Sequence, residues 1–172
     1  MPSIALTGLP ASGKSSVGRL LAALRGLPFI DLDDSIVREG GMSIEEIFRQ
    51  EGEEAFRERE SKALEAVAKE SLSRPLVLAL GGGAILRPRN RELLKEYFTT
   101  VWLVVEPRIA ALRSSGGHRP LLAGGDPELR IEKLLAERER YYAEVADLRI
   151  ETGAPPARKV AEIIDGKMSR FP

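Results

Sequence analysis

Residues 8–15, GLPASGKS, constrain the fold more than any other stretch of this chain. They satisfy the pattern G-x-x-x-x-G-K-S/T, in which glycines allow backbone N–H groups to turn inward around a phosphate chain. The apolar run at 3–7 precedes this loop, and residues 14–25 follow it with the apolar spacing of a helix. A strand, a glycine loop and a helix in this order predict a phosphate-binding loop, or P-loop, with the helix N-terminus facing the anion.

The side chains of the loop predict how a nucleotide is held. Lys14 has the length and charge to reach the β- and γ-phosphates, and the Ser15 hydroxyl suits Mg²⁺, which prefers oxygen ligands. The alternative, a glycine-rich turn that binds nothing, leaves the position between a strand and a helix unexplained. We therefore expect ATP and Mg²⁺ as ligands. The expected ATP-binding residues of the loop are Gly8, Ala11, Ser12, Gly13, Lys14, Ser15 and Ser16.

Short apolar runs alternate with helical segments along the rest of the chain. This alternation favours a parallel α/β sheet that helices cover on both faces. The predicted strands span residues 3–7, 28–31, 76–80, 100–105 and 147–151. The predicted helices span about residues 14–25, 34–39, 43–71, 89–96, 107–114, 127–145 and 156–170. With 172 residues and no repeat, we expect one domain over residues 1–172.

Several helix starts have their own sequence signals. Ser43 and Glu46 match a capping box, in which each side chain bonds to the backbone N–H of the other residue. Pro107, Pro127 and Pro156 stand where first helical turns are expected, since a proline lacks only an N–H that has no helical partner there.

The composition excludes several kinds of site and partner. The chain has no cysteine and one histidine, so disulfides, cysteine nucleophiles, thiolate zinc sites and multi-histidine zinc sites are ruled out. Its net charge is zero, which gives no basic field for nucleic acid, and no segment reaches the roughly 18 apolar residues of a membrane helix. Because the chain begins directly with a strand-like run, MPSIALTG, we expect a soluble cytoplasmic protein with no nucleic-acid or membrane partner.

Beyond the P-loop, the chain resembles the shikimate kinases, in the nucleoside-monophosphate-kinase-like branch of the P-loop folds. The resemblance runs from about residue 3 to residue 160. Its matching stretches are GLPASGKSSVGRLLA, DLDD, GMSIEEIFRQEGEEAFRERE, LGGGA, RPLL and RERYYAEVAD. It implies a three-layer α/β/α fold with a five-stranded parallel sheet in the order 2-3-1-4-5 and a mobile lid. It also implies a monomer that transfers the γ-phosphoryl group of ATP to the 3-hydroxyl of shikimate, in aromatic amino-acid biosynthesis.

Two aspartates of DLDD, Asp31 and Asp33, stand two residues apart at the end of the second predicted strand, so their side chains should point the same way. The resemblance implies that Asp33 contacts the acceptor hydroxyl and acts as base, while Asp31 helps to hold Mg²⁺ through water. The alternative for the pair is helix capping, for which Asp34 is the better candidate.

Arg57 and Glu60 stand three residues apart on a predicted helix and therefore on one face. The resemblance implies that Arg57 binds the shikimate carboxylate and that Glu60 fixes its guanidinium, within an acceptor-binding helical region at about 33–60. The alternative is an ordinary surface ion pair. Arg59, two residues from Arg57, is expected to be solvated.

The resemblance selects Arg138 and Tyr142, rather than Arg140 and Tyr141, as the functional pair of RERYYAEVAD. Arg138 would join Arg57 in binding the carboxylate, because two arginines suit a small anionic acid. Arg140 occupies a place that is often proline in the family, so the chain departs from the family pattern there.

A turn-rich segment, SSGGHRPLLAGGDP at 114–127, predicts a mobile lid over about residues 112–125. The resemblance implies that Arg119 moves in with the lid and neutralises the γ-phosphate, and that Arg113 stacks on adenine. For Arg119 the alternative is a loop arginine in water, and His118 is expected to be a solvated loop histidine. The expected catalytic residues are Lys14, Asp33 and Arg119.

Three consecutive glycines, Gly81, Gly82 and Gly83, follow the third predicted strand, where many P-loop proteins have an acidic residue for Mg²⁺. A plain turn would explain one glycine but not three. We expect their bare backbone to contact both the γ-phosphate and shikimate, with Gly82 the most sensitive to a side chain. In the P-loop, Ala11 replaces a common glycine. Alanine fits if its φ is negative, and we expect activity to survive, whereas a strained φ would weaken nucleotide binding.

Three other functions remain open at this point. One is another small-molecule kinase of the same fold, such as a gluconate kinase or a nucleotide kinase. A GTPase-like switch would need a guanine-reading N-K-x-D stretch, which the chain lacks. A paralogue that binds ATP without catalysis has no positive support, because every charged group that phosphoryl transfer requires is present.

Overall fold

All five predicted strands form, each within one residue of its predicted bounds. A computed structural model describes residues 2–114 and 126–168 of the chain. The strands are β1 (Ile4–Thr7), β2 (Phe29–Asp31), β3 (Val77–Ala79), β4 (Thr99–Val104) and β5 (Leu148–Glu151). The helices are α1 (Lys14–Arg25), α2 (Leu32–Gly40), α3 (Ile44–Ser73), α4 (Pro88–Tyr97), α5 (Pro107–Ser114), α6 (Pro127–Val145) and α7 (Ala157–Met168). A short 3₁₀ helix, Ala84–Leu86, has no counterpart in the prediction.

The sheet is entirely parallel and has the strand order β2-β3-β1-β4-β5. At its centre, Ile4 of β1 is in register with Val77 of β3 and with Thr99 of β4. This order confirms the fold that the resemblance implied. Because all strands run the same way, the loops that follow β1, β2 and β3 meet at one edge of the sheet.

Helices cover both faces of the sheet and bury two separate groups of apolar side chains. Ile4 belongs to one group together with Val17 of α1 and Ile164 of α7. Its neighbour Ala5 belongs to the other group, which includes Leu64 of α3. Successive residues of β1 therefore face opposite helical layers, which confirms the three-layer arrangement. No helix within the described ranges is long and apolar enough to cross a membrane.

The helix starts agree with most of their sequence signals. Ser43 Oγ accepts a hydrogen bond from the Glu46 N–H at 3.2 Å, and the Glu46 carboxylate accepts one from the Ser43 N–H at 2.8 Å, so the capping box is confirmed. Pro107 and Pro127 are the first residues of α5 and α6, as predicted. Pro156 immediately precedes α7 instead of lying in its first turn, so that prediction is wrong by one residue.

Helix α2 begins two residues before its predicted start. Asp31 is its N-cap, and the Asp31 carboxylate accepts a hydrogen bond of 3.2 Å from the Asp33 N–H. The prediction that Asp34 caps this helix is therefore wrong. Asp34 lies in the first turn with an exposed side chain, 3.8 Å from the guanidinium of Arg19.

Helix α3 is broken at Gly52, whose φ of +86° and ψ of +173° are not helical. The apolar spacing continues across the break, which is why the sequence predicted one helix. Arg59 donates hydrogen bonds of 2.7 and 3.2 Å to the carboxylate of Glu51, on the other side of the break. Arg59 is therefore a surface residue, as expected, and its two-pronged ion pair also joins the two parts of α3.

Candidate active site

A cavity of about 760 Å³ lies at the edge of the sheet where β1, β2 and β3 end. It is lined by the P-loop, by parts of α2, α3 and α6, by the residues after β3, and by the loop between β5 and α7. Arg119 and His118 lie outside the described residues, as do residues 115–125 of the expected lid. The predicted site residues that line the cavity are Ala11, Ser12, Gly13, Lys14, Ser15, Ser16, Asp31, Asp33, Arg57, Glu60, Gly81, Gly82, Gly83, Arg113 and Arg138.

The P-loop backbone has the conformation that its glycines predict. Gly8 and Gly13 have φ values of +142° and +93°, which favour glycine. A Cβ atom at Gly8 would lie 2.4 Å from the carbonyl oxygen of Leu103, so only glycine fits there. Lys14 Nζ donates hydrogen bonds of 3.0 and 2.7 Å to the carbonyl oxygens of Gly8 and Leu9. The loop itself therefore holds the lysine ammonium at the cavity wall.

Ala11 has a φ of +61°, so the condition of a negative φ is not met and the strained alternative applies. It is the only non-glycine residue with a positive φ in the part of the chain that the structure describes. The P-loop requires a left-handed turn at this position, and a residue with a Cβ atom adopts it at a cost of about 1–2 kcal/mol. The Ala11 carbonyl accepts a hydrogen bond of 3.4 Å from Arg113 Nη1.

Ser15 and Asp31 join the P-loop to the end of β2. The Ser15 hydroxyl donates a hydrogen bond of 2.5 Å to Asp31 Oδ2, while Oδ1 of the same carboxylate caps α2. Asp31 thus caps a helix and also faces the phosphate loop, two roles that the sequence left as alternatives. Between them, Ser15 and Asp31 offer hydroxyl and carboxylate oxygens, the ligand type that Mg²⁺ prefers.

Asp33 lies in the first turn of α2, not on β2, yet its side chain reaches the cavity. The prediction that the Asp33 side chain faces the ligand edge of the sheet agrees with the structure, but the helix, not strand alternation, directs it there. Its Oδ1 atom is close to the backbone of Gly81, since a Cβ atom on that glycine would lie 2.9 Å away. Its charge also acts on Glu60, which shows that the two carboxylates share one end of the site.

Arg57 and Glu60 form an ion pair inside the protein. Arg57 Nη1 donates a hydrogen bond of 2.8 Å to Glu60 Oε2, and Nη2 donates one of 3.3 Å to Glu53. The side chains of Arg57 and Glu60 are only 8% and 0% exposed, so the pair is not the surface ion pair that the sequence allowed. Burial raises the pKa of Glu60, and the charge of Arg57 opposes that shift.

Helix α6 directs Arg138 and Tyr142 inward and leaves Arg140 exposed. The two inward residues are four apart and so lie on one face, and Tyr141 is only half-buried. The Tyr142 hydroxyl donates a hydrogen bond of 2.6 Å to the carbonyl oxygen of Gly82. Burial raises the pKa of Tyr142 to about 12. This pattern of burial supports the selection of Arg138 and Tyr142 from the sequence.

The three glycines after β3 each approach a different part of the site. A Cβ atom on Gly83 would lie 2.5 Å from the guanidinium of Arg57, and one on Gly81 would lie 2.8 Å from the Glu60 carboxylate. A Cβ atom on Gly82 would lie 3.1 Å from a proline ring of the P-loop. From the sequence, we expected three glycines here because side chains would occupy the space needed by the γ-phosphate and shikimate. The structure adds that the protein's own charged side chains already occupy the space beside Gly81 and Gly83.

Arg113 joins α5 to the loop that follows β5. Its Nη2 atom donates hydrogen bonds of 3.1 and 3.3 Å to the carbonyl oxygens of Thr152 and Gly153. Together with the contact to Ala11, these bonds place the Arg113 guanidinium beside the P-loop. This end of the cavity is therefore the one that can hold a nucleotide.

The sequence analysis missed the apolar wall of the cavity. Ile44, Phe48 and Phe56 of α3 line it together with Pro10 of the P-loop, and the two phenylalanine rings lie 4.8 Å apart. Ile44, the first residue after Ser43, and Phe48 are four residues apart, which puts them on one helix face and could have identified them. At the nucleotide end, the sequence carried no comparable signal. The missed residues there are Thr152, Pro155, Ala157 and Val160.

Comparison with known proteins gives one consistent family. The family model described as shikimate kinase matches residues 10–167. The chain is 42% identical to a shikimate kinase of Symbiobacterium thermophilum, over 98% of this chain and 97% of that protein. It is 43% identical to a shikimate kinase of Rhodococcus jostii, over 95% of this chain and 96% of that protein.

Solved structures agree with the sequence comparison. A gluconokinase from Sinorhizobium meliloti has a TM-score of 0.61 at 20% identity, a likeness that shows the fold alone. A shikimate kinase from Acinetobacter baumannii in complex with shikimate has a TM-score of 0.93 at 39% identity, over 99% of this chain and 95% of that chain. Because the family model and these relatives cover nearly the whole sequence, the chain belongs to the shikimate kinase family.

Proposed function

We propose that this chain is an ATP:shikimate 3-phosphotransferase, which forms shikimate 3-phosphate and ADP in the chorismate pathway. The observation that carries the proposal is the pair of buried arginines, Arg57 and Arg138, on the wall of the cavity that also contains the P-loop. A buried cation needs a partner, and a small carboxylic acid supplies one. The high identity to shikimate kinases over the full chain supports shikimate as that acid.

The acceptor end of the site is built from α3, α6 and the glycines after β3. Glu60 holds one side of the Arg57 guanidinium, which leaves its planar fork in a fixed orientation for a carboxylate. Arg138 is 4% exposed, and its Nε atom has no hydrogen-bond partner among the described residues, so it has donor capacity for the same carboxylate. We assign shikimate binding to the region 33–60, with Arg138 added from α6.

The chemical step joins the 3-hydroxyl oxygen of shikimate to the γ-phosphorus and breaks the bond to the β-phosphate oxygen, which releases ADP. Asp33 orients the hydroxyl and accepts its proton, because its carboxylate lines the cavity that also contains the P-loop and lies near Glu60 and Gly81. Phosphoryl transfer depends mainly on positioning and charge neutralisation, so the remaining residues act by holding the phosphates.

The nucleotide end of the site is the P-loop with Arg113. The backbone N–H groups of residues 8–15 and the start of α1 surround the phosphates, and Lys14 reaches them by leaving the loop carbonyls. Arg113 lies beside the P-loop, and we assign it to the adenine base on the family resemblance. Arg119 completes the set by approaching the γ-phosphate with a lid at about 112–125, a role that rests on the family resemblance.

A magnesium ion fits the oxygens of Ser15 and Asp31. These two residues are in hydrogen-bond contact at the edge of the P-loop, and both supply hard oxygen ligands. The described residues contain no group of three or more acidic or histidine side chains that could hold a metal without further ligands. Ser15 and Asp31 would therefore hold the ion together with phosphate oxygens and water. When bound, Mg²⁺ neutralises negative charge on the phosphates.

The experiment that tests the function is an ADP-release assay on the purified full chain, with shikimate, gluconate and AMP as acceptors. We expect ATP- and shikimate-dependent ADP release. Turnover of gluconate that equals or exceeds that of shikimate would overturn the proposal and favour a different small-molecule kinase.

A variant identifies the proton acceptor in the same assay. Asp33→Asn should lower turnover by about 10²–10⁴-fold while ATP affinity stays within about twofold. Glu39→Gln is the control on the same helix, because the Glu39 side chain is exposed and does not line the cavity, so turnover should be unchanged. Full activity of Asp33→Asn would remove Asp33 from the mechanism.

We further propose that the enzyme is a cytoplasmic monomer of one domain. The absence of cysteine fits a reducing compartment, and the P-loop, the acceptor region and the buried arginines all face one cavity of a single chain. Light scattering on the purified chain should give the mass of one copy, and a mass of two copies would reject the monomer.

A further inference from the structure

Tyr142 binds the glycine run, Gly81–Gly83, from the side that faces away from the cavity. Its hydroxyl donates a hydrogen bond of 2.6 Å to the Gly82 carbonyl oxygen, and its side chain is fully buried. The ring stacks on Trp102 of β4, with centroids 5.8 Å apart and planes at 27°, so the position of the hydroxyl is fixed by packing. Tyr142 does not line the cavity, whereas Gly82 and Gly83 do.

The hydrogen bond from Tyr142 sets the direction of one peptide group. In a trans peptide, the carbonyl of one residue and the N–H of the next point in opposite directions. The described residues contain no cis peptide bond, so the Gly82 carbonyl and the Gly83 N–H have this opposed arrangement. Because the Gly82 carbonyl points back to Tyr142, the Gly83 N–H points away from Tyr142, and Gly83 itself lines the cavity with the Arg57 guanidinium close to its backbone.

Other side chains hold the carbonyls that follow, so within the glycine run Tyr142 acts on this peptide alone, and its hydroxyl also meets the Arg138 side chain. Asn90 Nδ2 donates a hydrogen bond of 2.9 Å to the Ala84 carbonyl. Arg91 Nη1 donates bonds of 2.9 and 3.1 Å to the carbonyls of Ile85 and Leu86. Loss of the Tyr142 hydroxyl would therefore free the Gly82–Gly83 peptide while the 3₁₀ helix after it stays anchored to α4.

We infer that Tyr142 is a positioning residue for the acceptor, which it serves by aiming the Gly83 N–H at the acceptor carboxylate beside Arg57 and Arg138. The inference rests on the proposed function, since it assumes that the acceptor is an anionic acid in this part of the cavity. Helix α6 then contributes twice to acceptor binding: Arg138 faces the ligand directly, and Tyr142, one turn later, orients the backbone donor.

The acid–base chemistry of Tyr142 agrees with this role. Burial raises its pKa to about 12, so the hydroxyl keeps its proton and remains a donor at any pH at which a kinase assay is run. The Gly82–Gly83 peptide is therefore held in the same orientation across that range.

The test compares Tyr142→Phe with Tyr141→Phe in the full chain. Each variant loses one hydroxyl, on adjacent residues of one helix, but the Tyr141 hydroxyl accepts a bond from Arg140 and does not touch the glycine run. Tyr142→Phe should raise the shikimate KM about tenfold, as expected for loss of one well-placed donor, with the ATP KM within about twofold. Tyr141→Phe should leave both KM values unchanged.

The outcomes separate this inference from the proposed function. Wild-type protein is assayed first, because a lack of turnover with shikimate would overturn the proposed function and this inference with it. If the wild type is active, a Tyr142→Phe protein with the shikimate KM of Tyr141→Phe, or with equal rises in both KM values, would overturn only the role of Tyr142.

A second measurement does not depend on the folding of the variant, and it separates the Gly83 amide from Arg138, whose side chain the Tyr142 hydroxyl also meets. Amide hydrogen exchange of Gly83 is measured in the wild-type protein with and without shikimate. The inference requires slower exchange of this amide when shikimate is bound, and an unchanged exchange rate would reject it.

Discussion

Arg57 Nη1 lies 2.8 Å from Glu60 Oε2, one helical turn further along α3, and both side chains are buried. A buried ion pair adds little net stability, because removing two charges from water costs about as much as their attraction returns. The ion pair matters more because it fixes the orientation of the Arg57 guanidinium. Glu60 takes one edge of the guanidinium and directs the remaining donors toward the cavity, so we interpret the pair as a device for orienting Arg57.

The first prediction separates the two substrates. Arg57→Ala and Arg138→Ala should each raise the shikimate KM by more than about tenfold with little change in the ATP KM, because each removes a charge-assisted contact to the acceptor. Steady-state kinetics with each substrate varied in turn provides the measurement. Arg140→Ala is the matched control on α6, since its side chain is exposed. Equal rises in both KM values would move the two arginines out of the acceptor site.

The second prediction concerns the pH dependence of stability. Burial raises the pKa of Glu60 in the folded protein, so the folded state keeps this proton to higher pH than the unfolded chain does. Protonated Glu60 makes its full contribution to stability below about pH 4.3, the ordinary pKa of glutamate in an unfolded chain. This contribution is lost as the pH rises through the higher pKa that Glu60 has in the folded protein. The free energy of unfolding of the wild type, minus that of Glu60→Gln, should therefore fall as the pH rises from about 4 to 7.

Glu58 provides the control for that measurement. It lies on the same helix, but a hydrogen bond from Arg87 lowers its pKa, so its stabilising contribution is present above the unfolded value and is lost as the pH falls through the folded one. The difference between wild type and Glu58→Gln should therefore rise over the same pH range. A Glu60 difference that also rises would show that the attraction of Arg57 outweighs burial.

The sequence predicted the sheet and most helix bounds because their signals are local. Apolar runs mark the strands, the capping box marks the start of α3, and Pro107 and Pro127 mark two further starts. The start of α2 was missed because Asp31 is both the last residue of β2 and the N-cap, a contact that spacing does not reveal. The break at Gly52 was missed because the apolar pattern continues through it.

The sequence predicted those site residues whose side-chain chemistry alone indicates what they bind. Charged residues with a required partner, such as Arg57 and Arg138, could be selected from their positions in the matching stretches. The bond from Tyr142 to Gly82 carried no such signal, since it joins two elements that are 60 residues apart in sequence. Tertiary contacts of this kind require the packed structure.

The third prediction distinguishes two neighbouring glycines. Gly83→Ala should raise the shikimate KM, because its Cβ atom would lie 2.5 Å from the Arg57 guanidinium and would displace it. Gly82→Ala should act on the ATP KM, because its Cβ atom would press on the P-loop at Pro10, 3.1 Å away. Gly166→Ala serves as the control, since a Cβ atom there would have no neighbour within 4 Å. The same KM change in both site variants would argue for a general disturbance of the loop.

The fourth prediction concerns Ala11 and the strain in the P-loop. Its φ of +61° costs about 1–2 kcal/mol for a residue with a Cβ atom, and glycine avoids that cost. Glycine also gives the unfolded chain more freedom, which offsets about 0.4–1 kcal/mol of the gain. Ala11→Gly should therefore raise the free energy of unfolding by up to about 1.6 kcal/mol, as measured by urea denaturation.

Ala136→Gly is the control, because it makes the same substitution at a position with an ordinary helical backbone. Ala136 is exposed in the interior of α6, where glycine should lower the free energy of unfolding by about 1 kcal/mol. The same substitution is thus expected to have opposite signs at the two positions, because only Ala11 has a left-handed backbone. If Ala11→Gly destabilises the protein as much as Ala136→Gly does, the P-loop stores no strain at Ala11, and alanine is as well suited to that turn as glycine.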